Sequence, residues 1–451
     1  MKKMLDGQID SVHSSTANLV DEIILSMHKN GVLNCLSDGI PDKRADNTTI
    51  PFELFLSLSA TAKMKVKTSL TDIPFAITDH RTLAELGWNL IDTDQDLGKG
   101  LMRESSLRAI IKKYSLADFF NGYNNTMQRH VMPKLNLSPD IHILDCTKLV
   151  VNLKNENYEG SGIGVDNDNK TARGYKLSTL RGITGDTGIV EDTRFGSIET
   201  HDLELSRDIL YNSPVLKHGD IIVNDRGFIS RDVMNYLKNR RGVDTYIPLK
   251  SNMNTYEMAV STAKMENNWV NHPNKNRKNQ KIAFVPNLGG FWISDKPDDD
   301  VGLNACVVWD TKATEKDKEY FVFVTTDLTK TAKQIVQTYE LRPEIEEDFR
   351  QIKDFWDIED FKSTKLNFIA FHIVSTLFGY LFFQLYTMLP EGEKYAHKCL
   401  PVILKNYISE ALNFLVFYVG NEFAILSVIE FAELYSISSL DVRKKFTNAM
   451  G

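Results

Sequence analysis

The chain has 451 residues, 42% of them hydrophobic and 25% charged, the composition of an ordinary globular protein with enough apolar side chains for a large core and roughly two to four domains. Its four cysteines, Cys35, Cys146, Cys306 and Cys399, lie far apart with no CxxC pair, which excludes a cysteine metal knot and points to a reduced, intracellular compartment. The formal charge of −7 carries no basic signature of nucleic-acid binding, although a local basic groove is compatible with acidic faces elsewhere.

The first residues, MKKMLDGQIDS, have two lysines but no apolar run behind them and do not read as a signal peptide. Residues 1–135 alternate apolar and polar at helical spacing, with Ser105 as a cap ahead of SLRAIIKKYSLADFF, and predict a helical N-terminal region. DIHILDCTKLVVNL (140–153) is rich in Ile, Leu and Val and predicts a buried strand. EGSGIGVDND lacks the strand–helix frame of a nucleotide fingerprint and reads as a turn. YKLSTLRGIT and GIVEDTRF follow as strands, then a helix from near His201, the short strand GDIIVNDRGF, the helix RDVMNYLKNRR and the strand VDTYIPLK. This succession predicts a mixed α/β sheet over residues 136–255.

Residues 256–328 contain a basic piece, HPNKNRKNQK (272–281), and three strand-like runs, which reads as a β-rich insertion. From Thr329 to about 430 the pattern is helical: 329–390 completes the α/β core and 391–451 forms a helical C-terminal region. The run NFIAFHIVSTLFGYLFFQLYTML (367–389) is long enough to cross a bilayer. His372, Ser375, Thr376 and Gln384 dilute it, so it is read as a core helix and no membrane partner is expected.

Three acids stand out. Asp145 sits inside an apolar strand, Asp225 just beyond the end of another, and Glu346 on a helix, YELRPEIEEDFRQIK (339–353). A carboxylate in a buried strand is costly unless it is paired or coordinated. Two acids from strands and one from a helix can converge on hard divalent cations such as Mg²⁺ or Mn²⁺, which prefer oxygen ligands. On the same helix Tyr339, Arg342, Glu346 and Lys353 fall near one face by spacing, while Pro343 demands either a bend or a new helix starting there.

This order of acids resembles the RNase H-like core of DDE transposases. LDCTKL around Asp145 and NDRGF around Asp225 are similar to the family's first and second aspartate motifs, and RGYKL, with Lys176, fits between them. The residues from 339 match Tyr-x2-Arg-x3-Glu-x6-Lys, the signature of insertion-sequence transposases of the group numbered four; the resemblance covers about residues 136–385. It implies an RNase H-like mixed sheet with a β-rich insertion, flanked by helical N- and C-terminal regions. It also implies two Mg²⁺ ions (Mn²⁺ can substitute) held by Asp145, Asp225 and Glu346, with Tyr339, Arg342 and Lys353 on DNA phosphates. Lys176 is a further DNA-contact candidate, as are Lys148, Lys170, Arg173 and Arg181. Trp309 and Trp292 are candidates for stacking on a flipped base, beside the reading of each as core packing. The implied partner is double-stranded DNA, the element's terminal inverted repeats and its target, bound by a homodimer on paired ends in a bacterial cytoplasm. The implied activity is cut-and-paste transposition through a hairpin. A nuclease of the same fold without strand transfer, and a DNA-binding relic without catalysis, stand as alternatives.

Overall fold

The computed structural model describes residues 2–91, 100–185, 187–288, 299–314, 318–408 and 410–450. Two compact units divide the chain: residues 132–350, and residues 1–131 together with 351–451.

Residues 132–350 are built on one mixed sheet. Its strands in chain order are β1 (Ile141–Val151), β2 (Gly162–Val165), β3 (Thr171–Thr184), β4 (Thr187–Ser197), β5 (Ile221–Asn224), β6 (Asp244–Pro248), β7 (Val270–Asn271), β8 (Gln280–Val285), β9 (Asn304–Asp310) and β10 (Tyr320–Thr325). β1 runs antiparallel to β3 and parallel to β5, β3 carries β4 on its other edge, and β5 is parallel to β6. The spatial order β4-β3-β1-β5-β6, three antiparallel strands followed by two parallel ones, is the RNase H-like arrangement that the sequence predicted. The first half of β1 is covered on both faces, which is why its apolar residues run nearly without interruption.

The inserted strands extend the same sheet. β10 pairs antiparallel with β6, and β9, β8 and β7 follow in turn. A helix, Asn254–Glu266, opens this region where only strands were expected. The segment read as a turn at 160–164 is half strand: Gly160 takes φ +72, and β2 begins two residues later.

In the other unit, the apolar run forms one helix, Leu366–Met388, long and apolar enough to cross a membrane. Most of it is nevertheless enclosed by helices of its own unit. Phe371 meets Phe119 with ring centroids 5.8 Å apart, and one and two turns further on Phe378 meets Tyr123 at 4.9 Å. Gly379 lets the helix Phe52–Met64 approach, since a Cβ there would lie 3.1 Å from the Ala60 carbonyl oxygen. Lys63 is buried in this core and donates to His372 Nδ1 at 2.8 Å, while His372 Nε2 donates to the carbonyls of Asp357 and Ile358. The expected cap at Ser105 is instead inside the helix Glu104–Ile111; Ser115 caps the following helix, in a capping box with Asp118.

The terminal regions are mostly helical but share a three-stranded sheet that the sequence reading missed. Ser11–Ala17 pairs with Leu412–Val419, which forms a hairpin with Glu422–Ser427. The two-residue loop is Gly420–Asn421 with Gly420 at φ +60, the glycine-first loop favoured in tight hairpins.

Candidate active site

β1 and β5 place two aspartates side by side. Their parallel register runs from Ile141 opposite Ile221 to Leu144 opposite Asn224. Asp145 and Asp225 are the next residues along the chain from that last pair, so they continue the register where the two adjacent parallel strands stop pairing. Asp145 is buried; its Oδ1 accepts from the Cys146 N–H at 2.8 Å.

The third acid arrives from a broken helical segment. Thr331 starts the helix Ala332–Tyr339 with a capping box to Gln334. That helix ends at Tyr339, and a second, Pro343–Asp354, starts with the proline as its first residue. Proline's missing N–H costs nothing in a first helical turn, so Pro343 begins a helix rather than bending one. Arg342 therefore lies in the turn between the helices, with its side chain over the sheet. Its Nη2 donates to Asp145 Oδ2 and its Nη1 to Glu346 Oε1, each at 2.6 Å. Its Nε is buried and finds no hydrogen-bond partner among the described residues.

The electrostatics follow from this crowding. Burial pushes the Asp145 carboxyl up, and Asp225 adds to the effect; Arg342 and the Cys146 N–H oppose them, leaving it at about 6. Burial alone would lower the Arg342 pKa, but Asp145 and Asp225, with Tyr339 and Glu346, outweigh it and the net shift is upward. Burial raises the Tyr339 phenol, with the three carboxylates pushing the same way against Arg342. The phenol stays protonated and remains a donor. Its ring lies on Phe323, centroids 4.5 Å apart. Tyr339 and Arg342 line a cavity of about 220 Å³ whose walls include Val308, Phe321, Phe323 and His272.

Among the described residues, no three His, Cys, Asp or Glu side chains converge closely enough to hold an ion between them. The Arg342 guanidinium stands between Asp145 and Glu346 in that place. The donor chemistry still fits a hard divalent cation: all three groups are carboxylates, and the buried one is short of positive charge, which a guanidinium partly supplies.

The other expected contacts are placed differently. Lys353 lies seven residues beyond Glu346 on the same helix, about 20° off its direction, with Nζ 3.4 Å from Glu359 Oε1. Lys176 is buried on β3, its Nζ on Asp202 Oδ1 at 2.7 Å and on the Thr200 carbonyl. His201 caps the helix that begins at Asp202. Lys148, Lys170 and Arg173 are likewise held locally, by the Asp166 carbonyl, Asp168 and the Leu153 carbonyl. Trp309 is half-buried against Trp269 and Tyr320, centroids 5.3 and 6.3 Å away. Side chains alternate along a strand, so Trp309 faces away from the cavity that its neighbour Val308 lines. Trp292 lies outside the described residues. Of the basic loop 272–281, Arg277 is tied to Glu340 at 2.7 Å.

One residue has a role that the sequence did not suggest. Arg181, on β3, sends Nε to Asp348 Oδ2 at 2.6 Å and Nη1 to Glu344 Oε2 at 2.7 Å, binding the helix that carries Glu346. The only sequence signal was a helix too acidic to pack without a buried cation.

Comparison with known families agrees with this fold. A family described as the transposase DDE domain matches residues 154–382, half of the chain, and so includes Asp225 and Glu346 while starting just after Asp145. No curated protein matches the chain. With an RNase H-like sheet and a family match over half of its length, the chain belongs to the DDE transposase domain family.

Proposed function

We propose that this transposase is an insertion-sequence enzyme of the group numbered four, which excises its element and joins it to target DNA at one carboxylate centre. The observation that carries the reading is the Arg342 fork between Asp145 and Glu346, with Asp145 and Asp225 each one residue beyond the last paired position of two adjacent parallel strands. Asp145, Asp225 and Glu346 would hold Mg²⁺ or Mn²⁺. When bound, such ions supply activation of the attacking oxygen and stabilisation of the leaving oxygen at phosphorus.

The chain's own residues do the rest. Arg342 carries an unpaired Nε donor and can offer its planar fork to a phosphate, which would draw it from the two carboxylates. Tyr339, held protonated, donates to a phosphate oxygen without adding charge, and Lys353 supplies a point charge further along the helix. The cavity beside Tyr339 and Arg342 has aromatic walls, Phe321, Phe323 and Tyr339, which suit a base displaced from the cleaved end better than the packed face of Trp309 does. Cleavage frees a 3′-hydroxyl, its attack on the opposite strand closes a hairpin, and the reopened end attacks target DNA. Each of these steps is a displacement at phosphorus, so one centre serves them all. The helical N-terminal region reads the terminal repeats, and paired ends require a homodimer.

The test is cleavage and joining of a DNA fragment bearing the element's own ends, with and without Mg²⁺, by the wild-type protein and Glu346→Gln. Metal-dependent cutting and joining that disappear in the variant are expected. Cutting without joining would mark a nuclease, binding without cutting by either protein would mark a relic, and cutting that survives Glu346→Gln would remove Glu346 from the centre.

A further inference from the structure

The first two turns of the helix Pro343–Asp354 place acids at 344, 346, 347 and 348, and only Glu346 of these is used by the centre described above. Glu344 and Asp348 are four residues apart and share one flank of the helix. Glu346 is about 160–200° around from them, with the buried Ile345 and Phe349 between the two flanks. A buried apolar stripe alone lets a short helix roll about its axis, and a roll would carry Glu346 away from Asp145. The flank opposite Glu346 is the one that Arg181 grips.

The grip is built into the sheet. Arg181 is opposite Ile143 on β1, two residues before Asp145, so it stands on the strand next to the first aspartate. The side chain is only 6% exposed, and its fork is divided between Asp348, itself buried, and Glu344. Gly188 on β4 makes room for it: a Cβ there would lie 1.8 Å from the Arg181 Cζ. A guanidinium can hold two carboxylates one helical turn apart in a fixed plane, which a lysine ammonium cannot.

We infer that Arg181 is a positioning residue for the reaction: by clamping Glu344 and Asp348 it fixes the rotation of the helix and aims Glu346 at the two aspartates. The inference rests on the reading of Glu346 as a member of the carboxylate centre. With its fork committed to Glu344 and Asp348, Arg181 acts through the helix rather than on the reacting atoms.

The experiment measures Mn²⁺ binding by calorimetry in the absence of DNA, with the melting temperature of each protein recorded alongside. The variants are Arg181→Lys, Glu344→Gln, Glu346→Gln and Glu347→Gln. Glu347 is on the same helix but pairs with Arg350 at the surface, so its variant controls for loss of helix charge. Arg181→Lys is expected to weaken Mn²⁺ binding about fivefold or more, Glu344→Gln to do so by less, and Glu347→Gln to leave it unchanged. Exchange of the charges, Arg181→Asp with Asp348→Arg, is expected to recover part of the affinity. Should Arg181→Lys unfold, Glu344→Gln decides the matter, because Glu344 is half-exposed and its loss leaves Asp348 paired. Wild-type affinity in Arg181→Lys or Glu344→Gln, with affinity lost in Glu346→Gln, overturns the clamp alone. Wild-type affinity in Glu346→Gln as well overturns the reading of the centre.

Discussion

His142, near the start of β1, is fully buried between two acids. Its Nδ1 meets Glu191 Oε2 at 2.7 Å and its Nε2 meets Asp220 Oδ2 at 3.2 Å. Burial alone would depress the imidazole, but hydrogen bonds and charges from Asp220 and Glu191 outweigh it and hold the group at about 9, against 6.5 when unperturbed. A pKa higher in the folded state means that folding binds the proton more tightly. The stabilisation is therefore complete below pH 6.5 and is lost as pH rises through about 9. The difference corresponds to ~3 kcal/mol, or roughly 6–12 °C in melting temperature for a unit of this size. Lys63, in the other unit, is held down to about 8 by burial and pulls the other way above that pH. The comparison is therefore made against the double variant His142→Gln, Glu191→Gln, which removes the buried pair and keeps Lys63. Calorimetric melting from pH 6 to 9.5 should show a decline in the wild-type protein that the double variant lacks. Identical pH profiles for the two would refute the buried imidazolium.

Two substitutions separate binding from architecture around the centre. Arg342→Gln should weaken binding of the element's ends by about tenfold and reduce the slope of log affinity against log salt by about 1, as for loss of one phosphate contact, read by fluorescence anisotropy across a salt series. Lys176→Ala should leave DNA affinity unchanged and lower stability by about 1–2 kcal/mol, since its amine is committed to Asp202, which is partly exposed, and to the Thr200 carbonyl; urea unfolding and the same anisotropy assay check both halves.

Much of the core was legible because its signals are local. Apolar runs that lead into Asp, and a segment with Tyr, Arg and Glu at fixed spacing, are written in consecutive residues, and Pro343 narrowed that segment to a bend or a break, of which the structure has the break. The hairpin at 412–427 was legible too, and was misread. LNFLVFYV and EFAILS flank Gly420–Asn421, a hairpin loop by its own chemistry, but their apolar density was taken for helix. What no local pattern contains is the partner of a charge. Arg181 and Lys176 stand on the same strand near the same aspartate, and only the packed structure shows that one clamps a helix and the other an Asp–carbonyl pair. Trp309 was open between stacking and packing for a related reason: composition gives an aromatic strand, while the face on which each ring lies depends on the pairing of β9 with its neighbours.

The central claim is that Asp145, Asp225 and Glu346 surround one divalent-cation site, and it can be mapped without reference to activity. Fe²⁺ replaces Mg²⁺, and ascorbate with peroxide then generates hydroxyl radicals that cut the polypeptide wherever the ion is bound. Cuts near residues 145, 225 and 342–346, suppressed by excess Mg²⁺ and lost in Asp225→Asn, are the expected result. Cuts confined to other segments, or a pattern unchanged in Asp225→Asn, would contradict it.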